Sequence, residues 1–313
     1  MSRIVVTGGA GRLGRSLVAG LAERGHEVVS FDRAVSDAPQ LADAQQLAID
    51  LTDGEATASA LQAARADAVI HLAAIAVPFS APEDVILRTN AALAMSVLGG
   101  AVRAGIGRVV AASSLTVLGY GTPGWLPDRF PLDEETAPKP AHAYGLSKHL
   151  VEQTMSMLQR QRGDIRFAAF RPCYVIAPEE WAGAPTQQGH TVRERLDDPA
   201  LSAPALFNYV DARDVAAFTD TLLLAMPDIP NGETFIVGAD DALAREPLAE
   251  LLPRFVPGSD ELAAVLTGTS PTFSNAKAGR MLGWRPERSW RTELAPQNQN
   301  QNQTQNQTQG AQA

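Results

Sequence analysis

Short, almost wholly apolar runs alternate with longer amphipathic ones through the first two-thirds of the chain. The apolar runs fall at 4–7, 27–31, 47–49, 68–72, 108–112 and 166–170 and read as strands. The longer stretches at 12–24, 55–65, 82–104 and 143–162 read as helices. Strands separated by helices of this length must be joined by crossovers. The sheet they form is therefore parallel and covered on both faces. Burial on both faces is also why these runs are continuously apolar instead of alternating. The expected fold class is α/β, a doubly wound parallel sheet.

After Pro172 the rhythm breaks. Residues 173–204 carry several prolines and glycines and read as loops with one short helix. Then 206–210 reads as a strand, 212–225 as a helix, 234–237 as a strand, and 247–255 and 275–282 as short helices. The expected organisation is a main domain from 1–172 and 205–239 and a small cap from 173–204 and 240–293, with a tail at 294–313. From 296 onward the chain is Gln-, Asn- and Thr-rich, with no large apolar residue. Such a segment cannot offset its ordering entropy and is expected to be disordered. It holds Asn-x-Thr sequons at Asn302 and Asn306.

Composition narrows the possible partners. A net charge of −9 gives no general attraction for nucleic acid or an anionic membrane. Cys173 is the only cysteine, so no intrachain disulfide forms. No unbroken run of about 18 apolar residues occurs, so no membrane span is expected. The glycine-rich N-terminus does not read as a signal peptide. A cytoplasmic location is the expectation.

The first strand leads into Thr7-Gly8-Gly9-Ala10-Gly11-Arg12-Leu13-Gly14, which opens the first helix. Gly8 allows a tight turn, Gly11 lets backbone approach a pyrophosphate, and Gly14 lets helix pack on strand. The helix N-terminus then offers free N–H groups and a positive dipole end. Asp32 ends the second strand, where a carboxylate accepts hydrogen bonds from adenosine ribose hydroxyls. A glycine-rich turn with no ligand is the alternative. The strand–helix context and Asp32 weigh against it, and point to a Rossmann sheet binding a dinucleotide. Asp32 would repel a ribose 2′-phosphate, which favours NAD, while Arg33 beside it leaves NADP open.

Tyr144 and Lys148 lie four apart on one helical face, so their side chains meet. A phenol with a pKa near ~10 is a poor acid or base at neutral pH. A nearby ammonium and a positive nicotinamide ring would stabilise its phenolate. Ser113-Ser114 ends the fifth strand, at the sheet edge where ligands bind in such folds.

Together these pieces resemble an extended short-chain dehydrogenase/reductase of the NAD-dependent epimerase/dehydratase type. The matching residues run in family order: the Thr7–Gly14 turn, Asp32, Asp50-Leu51, His71-Leu72-Ala73-Ala74, Asn90, Ser113-Ser114, Tyr144 with Lys148, Arg171-Pro172, Tyr209-Val210-Asp211 and Leu282-Gly283-Trp284-x-Pro286. The resemblance implies Tyr144 as general acid/base, Lys148 on the nicotinamide ribose, and Ser114 on the reacting oxygen. It places Gly8, Gly11, Arg12, Leu13, Gly14, Asp32, Arg33, Asp50, Leu51, Leu72, Ala73, Ala74 and Asn90 around the cofactor, Asn90 in the helix behind the site. Substrate contacts would come from Ser114, Thr116, Arg171 and Tyr209. His71 reads as a strand-end residue and Cys173 as a small buried hydrophobe. No metal spacing is visible. The family commonly pairs two of its helices across a two-fold axis. Ala91, Ala92, Ala94, Gly99, Gly100 and Ala101 permit close helix contact, so a homodimer is expected.

Three reactions share such a site: net redox, epimerisation through a ketone, and dehydration. Dehydratases of the family carry Asp-Glu after the Ser/Thr, where this chain has Leu115-Thr116. Nucleotide-sugar epimerases usually carry an Arg for the substrate phosphate ahead of the Tyr209-Val210 segment. Here Ala205-Leu206-Phe207-Asn208 precedes it, in a short cap segment where only Arg193 and Arg195 could stand in. The first expectation is an oxidoreductase acting on a small polar alcohol or carbonyl, such as a sugar or sugar acid. A nucleotide-sugar 4-epimerase is the alternative, and a non-catalytic nucleotide sensor a more distant one.

Overall fold

The computed structural model of the protein describes residues 1–295. The expected disordered segment at 296–313 lies outside the described residues. In chain order the first half runs β1 (Arg3–Thr7), α1 (Arg12–Glu23), β2 (Glu27–Asp32), β3 (Gln45–Ala48), α2 (Gly54–Ala64), β4 (Ala68–His71), α3 (Glu83–Arg103), β5 (Arg108–Ala112), α4 (Ala143–Gln161) and β6 (Arg166–Pro172). There follow β7 (Val175–Ile176), α5 (Pro178–Trp181), α6 (Val192–Asp197), β8 (Val210–Asp211), α7 (Ala212–Ala225), β9 (Glu233–Val237), α8 (Leu248–Phe255), α9 (Asp260–Ala263), α10 (Ala276–Leu282) and α11 (Trp290–Glu293).

Seven strands form one parallel sheet in the order β3-β2-β1-β4-β5-β6-β9. The chain winds outward from β1 to β3, returns to pair β4 with β1, and winds the other way. The carboxyl ends of β1 and β4 therefore flank the crevice where such sheets bind ligands. Alternate strand residues serve opposite faces. Val5, Val69 and Val109 pack under Leu98, Val151 and Met155. Ile4, Val6 and Ile70 pack under Leu17, Leu21 and Phe218. Two buried faces explain strands with no polar alternation.

α3 is the one helix among the described residues long and apolar enough to cross a membrane, with mean hydropathy 1.5 over its best window. Thr89, Asn90 and Ser96 interrupt it, so no unbroken apolar run appears in the sequence. In the fold it packs between α2 and α4. Of its small residues, Ala94, Gly100 and Ala101 are buried, Gly100 against Leu61 of α2, while Ala91, Ala92 and Gly99 are half-buried.

One difference from the sequence reading has a clear cause. Residues 206–210 do not form a strand. Pro204 sits in a short 3-10 turn, and Leu206 and Phe207 follow with left-handed φ of 49° and 59°. Their side chains plug the core, so the run is apolar without being extended. Only Val210 and Asp211 are extended, and they pair with β7 outside the main sheet. The segment 240–293 divides: Leu243 and Trp290 pack with Trp181, Val192 and Leu196 of 173–204, while other residues reach the main core. Leu248, Leu251, Leu252 and Ala278 belong to the same cluster as Phe235. Trp284 meets Phe218 edge-on at 5.3 Å.

Candidate active site

A cavity of about 1170 Å³ opens over the carboxyl ends of β1, β2, β4, β5 and β6. On one side it is lined by Gly8, Gly11, Arg12, Leu13, Gly14, Asp32, Arg33, Asp50, Leu51, Leu72, Ala73 and Ala74. On the other are Ser114, Thr116, Tyr144 and Lys148. Its cover comes from Tyr174, Val175, Gln187, Gln188, Pro204 and Ala205, and no residue of 240–293 lines it.

The glycine turn is built by close approach. Gly8 has a φ of +74°, and a Cβ there would lie 2.7 Å from the Ala73 amide nitrogen. A Cβ on Gly14 would lie 2.1 Å from the Gly8 carbonyl oxygen. Gly11 caps α1 with no side chain in the way, leaving the first-turn N–H groups free of intrahelical partners. Asp32 is held by two backbone amides, Ala10 N–H at 3.1 Å and Arg33 N–H at 2.7 Å. Asp50 accepts from the Thr52 amide at 2.9 Å and hydroxyl at 2.7 Å, and these bonds hold its carboxyl below the usual range. Apposed backbone, helix N-terminus and fixed carboxylate fit a dinucleotide.

The start of α4 is fixed twice. His142 caps it, its Nδ1 accepting from Gly145 N–H at 3.2 Å, and Glu83 of α3 accepts from Ala143 N–H at 2.6 Å. One turn in, Tyr144 and Lys148 face the cavity, with Lys148 Nζ 6.0 Å from the Tyr144 ring centroid. Lys148 also donates to the Ala112 carbonyl at 2.9 Å. Burial lowers the Lys148 ammonium to about 8. The Tyr144 phenol is shifted by its own burial. Burial pushes it up to about 12, against the opposing effect of Ser114. The cause is desolvation, which the hydrogen bond with Ser114 does not overcome. Ser114 Oγ accepts from Thr116 N–H at 3.2 Å and hydrogen-bonds the Thr116 hydroxyl at 3.0 Å.

His71 is fully buried against Thr7 at 2.8 Å and is driven down to about 3 by burial and then by Lys148, so it stays neutral. Three expected site residues face elsewhere. Asn90 brackets Ile75, accepting from its N–H at 2.8 Å and donating to its carbonyl at 3.2 Å, and reaches Ser147 Oγ at 3.0 Å. It braces the cavity wall without lining it. Arg171 makes a buried two-point pair with Glu152 at 2.8 and 2.9 Å, and Glu152 also accepts from Ser113 at 2.6 Å. Its Nε and one terminal nitrogen are taken up by Glu152, its other terminal nitrogen is buried without a hydrogen-bond partner, and it does not line the cavity. The Tyr209 hydroxyl bonds Asp241 and accepts from Trp290 N–H at 2.9 Å, tying down the C-terminal segment. Arg195 is buried behind Tyr174, its guanidinium 4.2 Å from that ring, and Arg193 is exposed; neither lines the cavity.

The sequence reading missed Phe79, Tyr120, His142 and Tyr174, all of which line the cavity. His142 had a signal, its place just ahead of the helix that starts at Ala143. Phe79 and Tyr120 lie in loops, and loop residues reach a cavity only through the fold. Among the described residues no cluster of His, Cys, Asp and Glu could hold a metal ion.

The model of the NAD dependent epimerase/dehydratase family matches residues 4–238. A UDP-glucose 4-epimerase from Azospirillum brasilense is 32% identical over 160 residues, covering 49% of this chain and 43% of that protein. A 2-alkyl-3-oxoalkanoate reductase from Stenotrophomonas maltophilia is 28% identical over 294 residues, covering 92% and 83%. The matches thus span about half the length of the epimerase relatives and most of the reductase. Among solved structures, a UDP-glucose-4-epimerase from Stenotrophomonas maltophila with bound NAD and a formylated UDP-arabinopyranose has a TM-score of 0.70 at 21% identity, covering 94% and 96%; this likeness is one of fold.

Proposed function

The chain belongs to the NAD dependent epimerase/dehydratase family, and from that we propose that it is an NAD-dependent oxidoreductase making a net conversion between a small polar alcohol and its carbonyl. The observation that carries this reading is the meeting of Ser114, Tyr144 and Lys148 in one cavity with the glycine turn and Asp32. NAD, when bound, supplies the hydride acceptor, and its reduced form the donor. Tyr144, still protonated at neutral pH, gives its proton to the substrate oxygen in reduction; in oxidation it first releases that proton to solvent and, as phenolate, takes one from the substrate hydroxyl. Ser114 Oγ hydrogen-bonds the same oxygen and fixes its place beside the phenol. Lys148 holds a positive charge where phenolate develops.

Net redox is favoured over epimerisation by the lining. Among the described residues its only cations are Arg12 and Arg33 at the glycine-turn end and Lys148 at the proton-transfer group. Tyr120, Thr122, His142, Tyr174 and Gln188 are neutral groups suited to hydroxyls, and they offer no handle for a diphosphate while a ketone is turned over. The reductase relative matched over 92% of this chain points the same way.

The test is incubation with NAD and panels of free polyols, sugars and sugar acids and of UDP-sugars, following NADH absorbance and product. NADH should accumulate in step with a ketone or lactone. Tyr144→Phe should lower turnover roughly 10²–10⁴-fold with NAD binding kept. Interconversion of a UDP-sugar pair with no net NADH would replace this reading with epimerisation.

A further inference from the structure

The first turn of α1 is tied to α5 beside the cavity. Arg12 pairs with Glu180, 168 residues away in the chain, and donates to Gln187 Oε1 at 3.0 Å. Arg15 pairs with Glu179 at 3.0 Å and donates to the Ala10 carbonyl at 3.2 Å. Glu180 is 2% exposed, and its other oxygen accepts from Ala177 N–H at 2.8 Å. Arg12 and Gln187 both line the cavity. A carboxylate this buried is costly unless its partners are fixed, so the link is held in one geometry and not a loose surface contact.

We propose that Arg12–Glu180, backed by Arg15–Glu179, is a strap that closes the 178–188 segment over the glycine turn and must open before a bound dinucleotide can leave. This rests on the reading that a dinucleotide occupies the turn. An oxidoreductase exchanges its cofactor every cycle, so the strap sets the residence time of that cofactor.

Electrostatics alone gives the opposite expectation, which makes the proposal testable. A carboxylate near a diphosphate repels it, and removing that charge would tighten binding. Removing a strap would loosen it. NADH release is followed by stopped-flow fluorescence on displacement with excess NAD. Glu180→Gln should release NADH roughly tenfold faster than the unaltered protein and bind it correspondingly more weakly. Glu179→Gln, at the exposed pair, should show about a twofold change. Unchanged or slower release in Glu180→Gln overturns the strap. Should that variant not fold, Glu180→Asp, which keeps the charge but shortens the reach to Arg12, decides by the same criterion. Failure of the unaltered protein to bind NADH would instead defeat the dinucleotide reading.

Discussion

Asn90 gives the sharpest prediction, because the fold assigns it a bracing role where cofactor contact was expected. Asn90→Ala removes hydrogen bonds of 2.8, 3.2 and 3.0 Å to Ile75 N–H, Ile75 carbonyl and Ser147. The side chain is 2% exposed, so water cannot readily replace them. At about 1 kcal/mol each, with the Ile75 amide left unsatisfied, the loss is about 3–4 kcal/mol; relief of side-chain ordering brings it to about 3. That corresponds to a melting midpoint lower by roughly 4–6 °C. Ile75 lines the cavity and Ser147 donates to the Tyr144 carbonyl at 2.8 Å, so turnover should also fall, by no more than about tenfold. Thermal unfolding by circular dichroism and an NADH fluorescence titration measure the two effects separately. An unchanged midpoint with NADH binding lost would refute the bracing argument and return Asn90 to direct cofactor contact.

Lys148 should govern the alkaline limb of catalysis. Its ammonium titrates at about 8, while Tyr144 stays protonated to about 12. The reductive rate should therefore fall as pH rises through about 8, where the charge that supports developing phenolate is lost. Lys148→Met should be slow throughout and lack that fall, and a pH–rate profile checks it. At the other end of the cavity, Asp32 should repel a ribose 2′-phosphate, so NAD should bind more tightly than NADP and Asp32→Ala should narrow the gap. Calorimetric titration of both cofactors decides, and tighter NADP binding by the unaltered protein would show that Arg33 prevails.

Local sequence determined the elements whose burial has one solution. β1, β4, β5 and β6 are apolar on both faces, and only a parallel sheet with helices on each side buries both. The glycine turn was equally legible, since the close approaches at Gly8 and Gly14 admit no side chain. So was the Tyr144–Lys148 pair, because a spacing of four on a helix is geometry the chain carries by itself. Where several folds would satisfy the same local pattern, tertiary structure decided. An apolar run at 206–210 could be strand or plug, and the left-handed backbone at Leu206 and Phe207 made it a plug. Arg171 and Tyr209 are competent to touch a substrate, but pairing with Glu152 and Asp241 holds them away from the cavity. Tyr144 shows the same limit in its electrostatics. Residue spacing places Lys148 one helical turn from Tyr144, but only the packed fold sets the desolvation that raises the phenol's pKa.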